Sequence, residues 1–416
     1  MASQKQDPLS SLRKPAFRFF VAGRFGHFLA IQMVMTTINL QIYFEYIKNV
    51  FKLGLLGLAE AVPFILLSFF TGLLADKYYR KRLIQYGQIL FFILTVILYL
   101  FTTSHFDYLK QYGTTPIFII VVLLGVQRAF ISPSMHAFMA QLIPRTDYAN
   151  AATINSSAFH IAAIAGPAIS GMLYAWVGAG TSYLIFLSII VLSYLSIHKT
   201  PDIPVPKSES KETAWQKVTA GIKFVYHKQV LLSALTLDLF AVLFGGAIAL
   251  MPAFADQVLN SGPEVAGWLR TAPAIGALIM TVYLIYHPPM TKSGTKMLWN
   301  VAGFGLATIL FALSTNLWLS LFLMMLTGAF DMVSVMIRHT IVQLLTPDDM
   351  RGRVSAINSI FIGSSNEIGA FESGVAARLL GLIPSVIFGG MMTIATVGAV
   401  SLKAPKLRKL NISEIQ

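Results

Sequence analysis

Long apolar runs, separated by short polar segments, recur along the whole chain. Runs such as Leu83–Thr103 and Ala302–Leu313 contain no charged residue. A helix needs about 20 apolar residues to cross the hydrocarbon core of a bilayer. The pattern therefore predicts an all-α membrane protein with twelve transmembrane helices, at 16–44, 53–75, 83–103, 115–141, 150–176, 180–197, 230–258, 264–287, 296–314, 317–345, 353–377 and 383–402.

The composition identifies lipid as the surroundings of this protein. Of its 416 residues, 56% are hydrophobic and 12% are charged, whereas soluble domains carry about 25% charged residues. The chain has no cysteine, which excludes disulfide bonds and thiolate metal sites. It also lacks a glycine-rich phosphate-binding loop that ends in Lys-Ser or Lys-Thr, so we expect neither ATP-driven transport nor a cofactor.

Basic residues indicate how the chain is oriented. The formal net charge is +13. If the N-terminus is cytoplasmic, the cytoplasmic segments hold most of the Lys and Arg residues, and the outer loops hold little beyond Lys48, Lys52 and Lys110. This asymmetry predicts an inner-membrane protein with both termini in the cytoplasm. It also explains the basic charge without a nucleic-acid partner.

One long polar stretch, residues 198–229, divides the chain. We predict a cytoplasmic N-terminal segment (1–15), a six-helix bundle (16–197), this linker, a second six-helix bundle (230–402) and a cytoplasmic tail (403–416). Within the linker, the spacing of Trp215, Val218, Ile222 and Val225 is helical. We therefore expect an amphipathic helix from Glu212 to Lys228 at the membrane surface.

The second bundle partly repeats the first. The matches are Gly57 with Gly267 and Pro63 with Pro273 at a shift of 210, and Gly125 with Gly328, Pro144 with Pro347, Asn155 with Asn358, Gly166 with Gly369 and Gly171 with Gly374 at a shift of 203. Halves of six helices each would share one membrane orientation, so the repeat is parallel. Such a duplication predicts a central cavity between the two halves.

A motif between the second and third predicted spans points to a known family. Gly72, Asp76, Arg80 and Lys81 follow the spacing G-x-x-x-D-x-x-x-R-K. This pattern resembles the loop 2–3 signature of the major facilitator superfamily of transporters, where it acts in the conformational switch. The corresponding loop of the second half, 286–296, lacks the acidic residue.

The fifth predicted span carries a second motif, Gly166-Pro167-Ala-Ile-Ser170-Gly171. It is similar to the antiporter motif of the same superfamily, G-P-x-x-G-G, with serine in place of one glycine. The alternative interpretation is a kinked packing helix with no bearing on transport direction. Further stretches around Asn150, Asp238 and Arg351 resemble the enterobactin-exporter and macrolide-efflux branch. This resemblance implies a monomer that exports a small amphipathic compound in exchange for protons.

Charged residues within the predicted spans are candidates for coupling or gating, because burying a charge in a bilayer is costly. These candidates are Arg24, Glu60, Arg128, Asp238, Arg270, Asp331, Glu367 and Glu372. The repeat places Glu60 opposite Arg270, Arg128 opposite Asp331 and, more loosely, Arg24 opposite Asp238. The inverted signs suggest that ion pairs form between the two halves. Charge-swap double variants that fail to restore transport at any pair would contradict this.

Less specific interpretations compete with this hypothesis. Glu60 and Arg270 could reach the outer interface of the membrane, and Arg338 is more typical of an interface anchor. Asp238 could form a structural pair with Arg24 or carry a proton. The histidines within the spans do not have metal-ligand spacing, so no metal site is expected.

The sequence favours a proton-coupled exporter whose partners are a small-molecule substrate, protons and the lipid bilayer. A proton-coupled importer of the same fold is the first alternative. A polytopic membrane enzyme or scaffold is the second, but no catalytic or metal cluster stands out.

Overall fold

The computed structural model describes residues 10–46, 48–103, 112–144, 147–204, 214–245 and 247–414. Within these ranges the description omits the side chains of 69–70, 72–73, 75–77, 149, 214–218, 348–349, 351–353 and 355–364. All regular secondary structure in the described part is helical. This agrees with the predicted fold class, because a chain within lipid must satisfy its backbone hydrogen bonds internally.

The described part of the first half of the chain contains five long helices. After a 3-10 turn at Ser10–Arg13, they are α1 (Pro15–Gln41, extended by a π-helical turn at Ile42–Tyr46), α2 (Val50–Lys77), α3 (Arg80–Phe101), α4 (Thr115–Leu142) and α5 (Tyr148–His198). The backbone of α5 leaves the helical conformation at Gly178, whose φ is +75°. This break separates the predicted spans 150–176 and 180–197.

The second half begins with the linker helix α6 (Ala214–His227), which confirms the helix expected in this segment. The helices that follow are α7 (Gln229–Phe244), α8 (Met251–Gln257), α9 (Pro263–Tyr286), α10 (Ser293–Leu313), α11 (Leu317–Leu345), α12 (Asp348–Leu380), α13 (Leu382–Lys403) and the short α14 (Pro405–Arg408). A 3-10 turn at Ala247–Leu250 joins α7 to α8, so the predicted span 230–258 is not one continuous helix.

Ten helical stretches of the described residues are long and apolar enough to cross a membrane. One of them, Asn150–His198, contains both spans that meet at Gly178. The helix α12 includes the predicted span 353–377 but is not among the ten. The chain is therefore a multi-pass helical membrane protein, although the predicted count of twelve is not matched exactly.

Two compact units make up the chain, and their boundary differs from the predicted one. Unit 1 comprises residues 1–38 and 62–210, and unit 2 comprises 39–61 and 211–416. Residues 39–61, at the end of α1 and the start of α2, thus belong with the second half of the chain. Hydrophobic periodicity could not show this, because it does not indicate which helix a given face packs against.

The internal repeat is visible in backbone conformation and in packing. Gly178 and Gly381 are 203 residues apart, and both have a positive φ together with an extended ψ. In unit 1, a Cβ on Gly166 would lie 2.6 Å from the Cβ of Gln32, and in unit 2 a Cβ on Gly369 would lie 2.9 Å from the carbonyl oxygen of Val242. Repeat-related glycines therefore make equivalent close helix contacts in the two units.

The C-terminal segment of unit 2 packs on the bundle. Leu407 and Leu410 are buried in the hydrophobic core that includes Met297 of α10. The backbone nitrogen of Ser413 donates to the carbonyl oxygen of Met290 at 3.1 Å. The segment predicted as a cytoplasmic tail is thus a docked part of unit 2 in its described residues.

Candidate functional site

The loop 2–3 motif lies at the end of α2 and the start of α3, in unit 1. The side chain of Asp76 and the surroundings of Gly72 fall outside the described residues. Arg80 donates from Nη1 to the carbonyl oxygen of Ala137 at 3.1 Å. Lys81 is buried and donates from Nζ to the carbonyl oxygen of Thr200 at 2.5 Å.

Lys81 also forms an ion pair with Asp202 at 3.2 Å. The basic half of the motif therefore ties the start of α3 to the end of α4 and to the segment that follows α5. Sequence analysis missed Thr200 and Asp202, because neither lies in a span nor forms a recognisable motif. The only available signal was an acidic residue directly after the sixth predicted span.

The antiporter-like motif packs α5 against α1. Ser170 donates from Oγ to the carbonyl oxygen of Met33 at 3.0 Å, and its Oγ lies 2.7 Å from Oγ1 of Thr37. Gly166, one turn earlier, faces Gln32 at close range. The chain remains helical through Pro167, and Gly171 is buried. Small residues at this spacing allow two helices to approach closely in a membrane.

The two candidate arginines within the predicted spans of unit 1 have different surroundings. Arg24 is 4% exposed, and its Nη2 lies 3.1 Å from Nε2 of His136. Arg128 stacks over the ring of Phe64 at 4.7 Å, a cation–π contact. Arg24 and Arg128 are therefore held among aromatic and histidine side chains.

In unit 2, Asp238 of α7 forms an ion pair with Arg338 of α11. Asp238 is 5% exposed and Arg338 is 2% exposed. The interpretation of Arg338 as an interface anchor is therefore wrong, since the side chain is buried and paired. The suggested partner of Asp238, Arg24, belongs to unit 1 and instead contacts His136.

A second charged cluster of unit 2 brings together α2, α9 and α12. Arg270 interacts electrostatically with both Glu367 and Glu60. Glu60 is 6% exposed, and a Cβ on nearby Gly57 would lie 2.9 Å from the carbonyl oxygen of Glu367. Close packing of α2 on α12 thus brings together the helices that carry these two carboxylates.

The remaining two candidates, Asp331 of α11 and Glu372 of α12, are half-buried. Among the described residues, no group of three or more His, Asp or Glu residues is placed to hold a metal ion.

The π-helical turn that ends α1 and the short segment before α2 meet Asp256 of α8, a residue that sequence analysis did not single out. Lys48 donates from Nζ to both carboxylate oxygens of Asp256, at 2.7 and 2.8 Å. The hydroxyl of Tyr43 donates to Oδ2 of Asp256 at 3.1 Å and accepts from Nε2 of Gln257 at 2.8 Å. This polar cluster attaches residues 39–61 to the rest of unit 2, together with the close approach of Gly54 to Gly374.

The arrangement of the helices is similar to that of solved membrane transporters of the major facilitator type. A bacterial homologue of the human lysosomal transporter Spinster, solved in an inward-facing and unoccupied conformation, superimposes with a TM-score of 0.67. That likeness covers 99% of each chain at 14% sequence identity, so it shows the fold alone.

The chain belongs to the transmembrane secretion effector family of this superfamily, whose model matches residues 8–415. The staphyloferrin A transporter of Staphylococcus aureus is 24% identical over 91% of this chain and 93% of that protein. The enterobactin exporter of Shigella flexneri is also 24% identical, over 90% of this chain and 88% of that protein. The chain is therefore a membrane transporter of a small molecule and not an enzyme.

Proposed function

We propose that the protein is a proton-coupled exporter of a small amphipathic compound that works by alternating access. The observation that carries this proposal is the presence of charged side chains within the helices, above all buried Glu60 and half-buried Glu367, which both interact electrostatically with Arg270. One guanidinium and two carboxylates carry an excess negative charge that a single proton can neutralise. Carboxylates within membrane spans are typical of proton relays in transporters.

Export rather than import is supported by two independent observations. The family is described as secretion effectors, and one of its relatives is named an enterobactin exporter. The motif at Gly166, Pro167 and Gly171 resembles that of antiporters and packs α5 against α1.

The conformational switch is assigned to Gly72, Asp76, Arg80 and Lys81. The contacts of Arg80 and Lys81 support this, because they join three separate segments of unit 1 at one point. Breaking them would let these segments move independently.

The distribution of Lys and Arg supports an inner-membrane location with both termini in the cytoplasm. The linker helix α6 then lies at the cytoplasmic surface, with Ile222 exposed towards the lipid headgroups and Val225 buried in unit 2. We also propose that the protein functions as a monomer.

The experiment uses everted membrane vesicles from cells that express the chain. Acidifying the vesicle lumen is expected to drive accumulation of fluorescent amphipathic compounds, and a protonophore is expected to abolish it. Glu367→Gln should remove the dependence on the proton gradient, whereas the matched control Glu414→Gln, at an exposed position outside the spans, should not.

Two outcomes would contradict the proposal. Accumulation that persists without a proton gradient would show that protons do not drive transport. Uptake by intact cells that a protonophore abolishes would identify the protein as an importer of the same fold.

A further inference from the structure

Arg24 is a buried guanidinium whose hydrogen-bonding groups are only partly used. Its Nη2 contacts His136, but Nε and Nη1 have no hydrogen-bond partner although both atoms are buried. The ring of Phe28, 5.3 Å from the guanidinium carbon, covers one face. Leaving charged donors unpartnered in a buried site is costly, so a ligand that accepts from them would be bound favourably.

The histidine partner of Arg24 does not offset its charge. Nδ1 of His136 lies 2.8 Å from the carbonyl oxygen of Ser132, which can only accept, so Nδ1 carries the proton. Nε2 must then accept from Nη2 of Arg24 at 3.1 Å. In this arrangement His136 is neutral, and the full positive charge of Arg24 remains.

The predicted spans of unit 1 supply no counter-ion to Arg24. Residues 16–38, 62–75, 83–103, 115–141, 150–176 and 180–197 contain no Asp or Glu. Asp147, at the start of α5, pairs with Lys14 at 2.5 Å. Burying a guanidinium without a counter-ion in a transmembrane bundle costs free energy. An anionic ligand would supply the missing negative charge.

The surroundings of Arg24 open onto an exposed polar surface. His136 is exposed, and Phe159 packs edge-to-face on Phe28 with ring centroids 4.9 Å apart while remaining 42% exposed. The exposed face of α5 beside Phe159 is polar, with residues at i, i+3, i+4 and i+7: Thr153, Ser156, Ser157 and His160. Such a polar face is unfavourable against lipid, so we expect it to contact water and substrate.

We infer that Arg24 binds a carboxylate group of the transported compound, and that Phe28 and Phe159 contact the aromatic or apolar part next to that group. The inference rests on the proposed function for its ligand, and it narrows the substrate class from amphipathic compounds to amphipathic anions. Nη1 donates to the carboxylate, and His136 holds the guanidinium in place through Nη2. Arg24 is thus a binding residue of unit 1.

The test measures binding of 2-naphthoate and of its neutral counterpart, 2-naphthamide, to the purified full chain in phosphatidylcholine nanodiscs. The wild type is expected to bind the carboxylate at least tenfold more tightly than the amide. Arg24→Met should remove this preference, and Arg24→Lys should keep part of it. The matched control is Arg18→Met, which removes an exposed arginine of the same helix and should leave both affinities unchanged.

A second variant keeps the inference testable if Arg24→Met does not fold. Phe159→Ala is expected to weaken naphthoate and naphthamide by similar factors, because the ring contacts the apolar part of both probes. Equal affinity of the wild type for the two probes, an unchanged preference in Arg24→Lys, or unchanged affinities for both probes in Phe159→Ala would each overturn the inference.

A further binding measurement distinguishes a site for a transported carboxylate from a site for a lipid phosphate. Adding phosphatidylglycerol to the nanodiscs should leave naphthoate binding unchanged. Displacement of naphthoate by this lipid would assign Arg24 to a headgroup site and overturn its role in substrate binding. Binding is measured independently of transport. If the chain binds naphthoate with the expected preference but exports no compound, only the proposed export function is refuted, and the inference about Arg24 is not.

Discussion

The ion pair between Asp238 and Arg338 is the charge contact of unit 2 whose removal should have the largest effect. Both side chains are almost fully buried, with side-chain exposures of 6% and 3%. Removing one partner of such a pair leaves an uncompensated buried charge, which costs about 3–5 kcal/mol. Asp238→Asn and Arg338→Gln should each lower the free energy of unfolding by an amount in this range.

The double variant distinguishes a direct pair from two independent residues. When both charges are removed, no charge remains unpaired, so the loss should be well below the sum of the two single losses. At about 2–4 °C of melting temperature per kcal/mol, each single variant should melt roughly 6–20 °C below the wild type. Intrinsic fluorescence of the five tryptophans in purified protein can follow this unfolding.

Charge exchanges at the same positions test Arg24 as the alternative partner of Asp238. Exchanging the charges in Asp238→Arg with Arg338→Asp should restore part of the lost stability and transport, whereas Asp238→Arg with Arg24→Asp should restore neither. Additivity of the Asp238→Asn and Arg338→Gln losses to within about 0.5 kcal/mol would refute the pairing. Rescue by the Arg24 exchange would instead show a pair that forms between the halves.

Three further predictions follow from packing and polar contacts. A Cβ on Gly328 would overlap the carbonyl oxygen of Pro273, so Gly328→Ala should destabilise the protein by about 1–3 kcal/mol, whereas Gly398→Ala, with open space around it, should not. Thermal unfolding compares the two variants directly. Tyr43→Phe should cost about 0.5–1.5 kcal/mol, because its hydroxyl bonds Asp256 and Gln257; no change in melting temperature would contradict that contact. Lys48→Met should cost less than about 1 kcal/mol in the same assay, since Lys48 is largely exposed, and high salt should abolish the difference.

The sequence by itself determined where the helices lie and which family their motifs suggest. Lipid cannot hydrogen-bond the backbone, so a long apolar run must form a helix, and its bounds can be read within a few residues. The repeat also followed from sequence, and it anticipated the matched contacts of Gly166 and Gly369. It did not anticipate the positive φ of Gly178 and Gly381, although these two glycines obey the same shift.

Only the tertiary structure decided which charges meet. Asp238 and Arg338 lie 100 residues apart, and Arg270 interacts with both Glu60 and Glu367, which lie on the distant but closely packed helices α2 and α12. Helical periodicity tells which face of a helix is apolar, but it does not specify the neighbour against which that face packs. For the same reason the packing of residues 39–61 in unit 2 and the unpartnered donors of Arg24 became visible only in the folded chain.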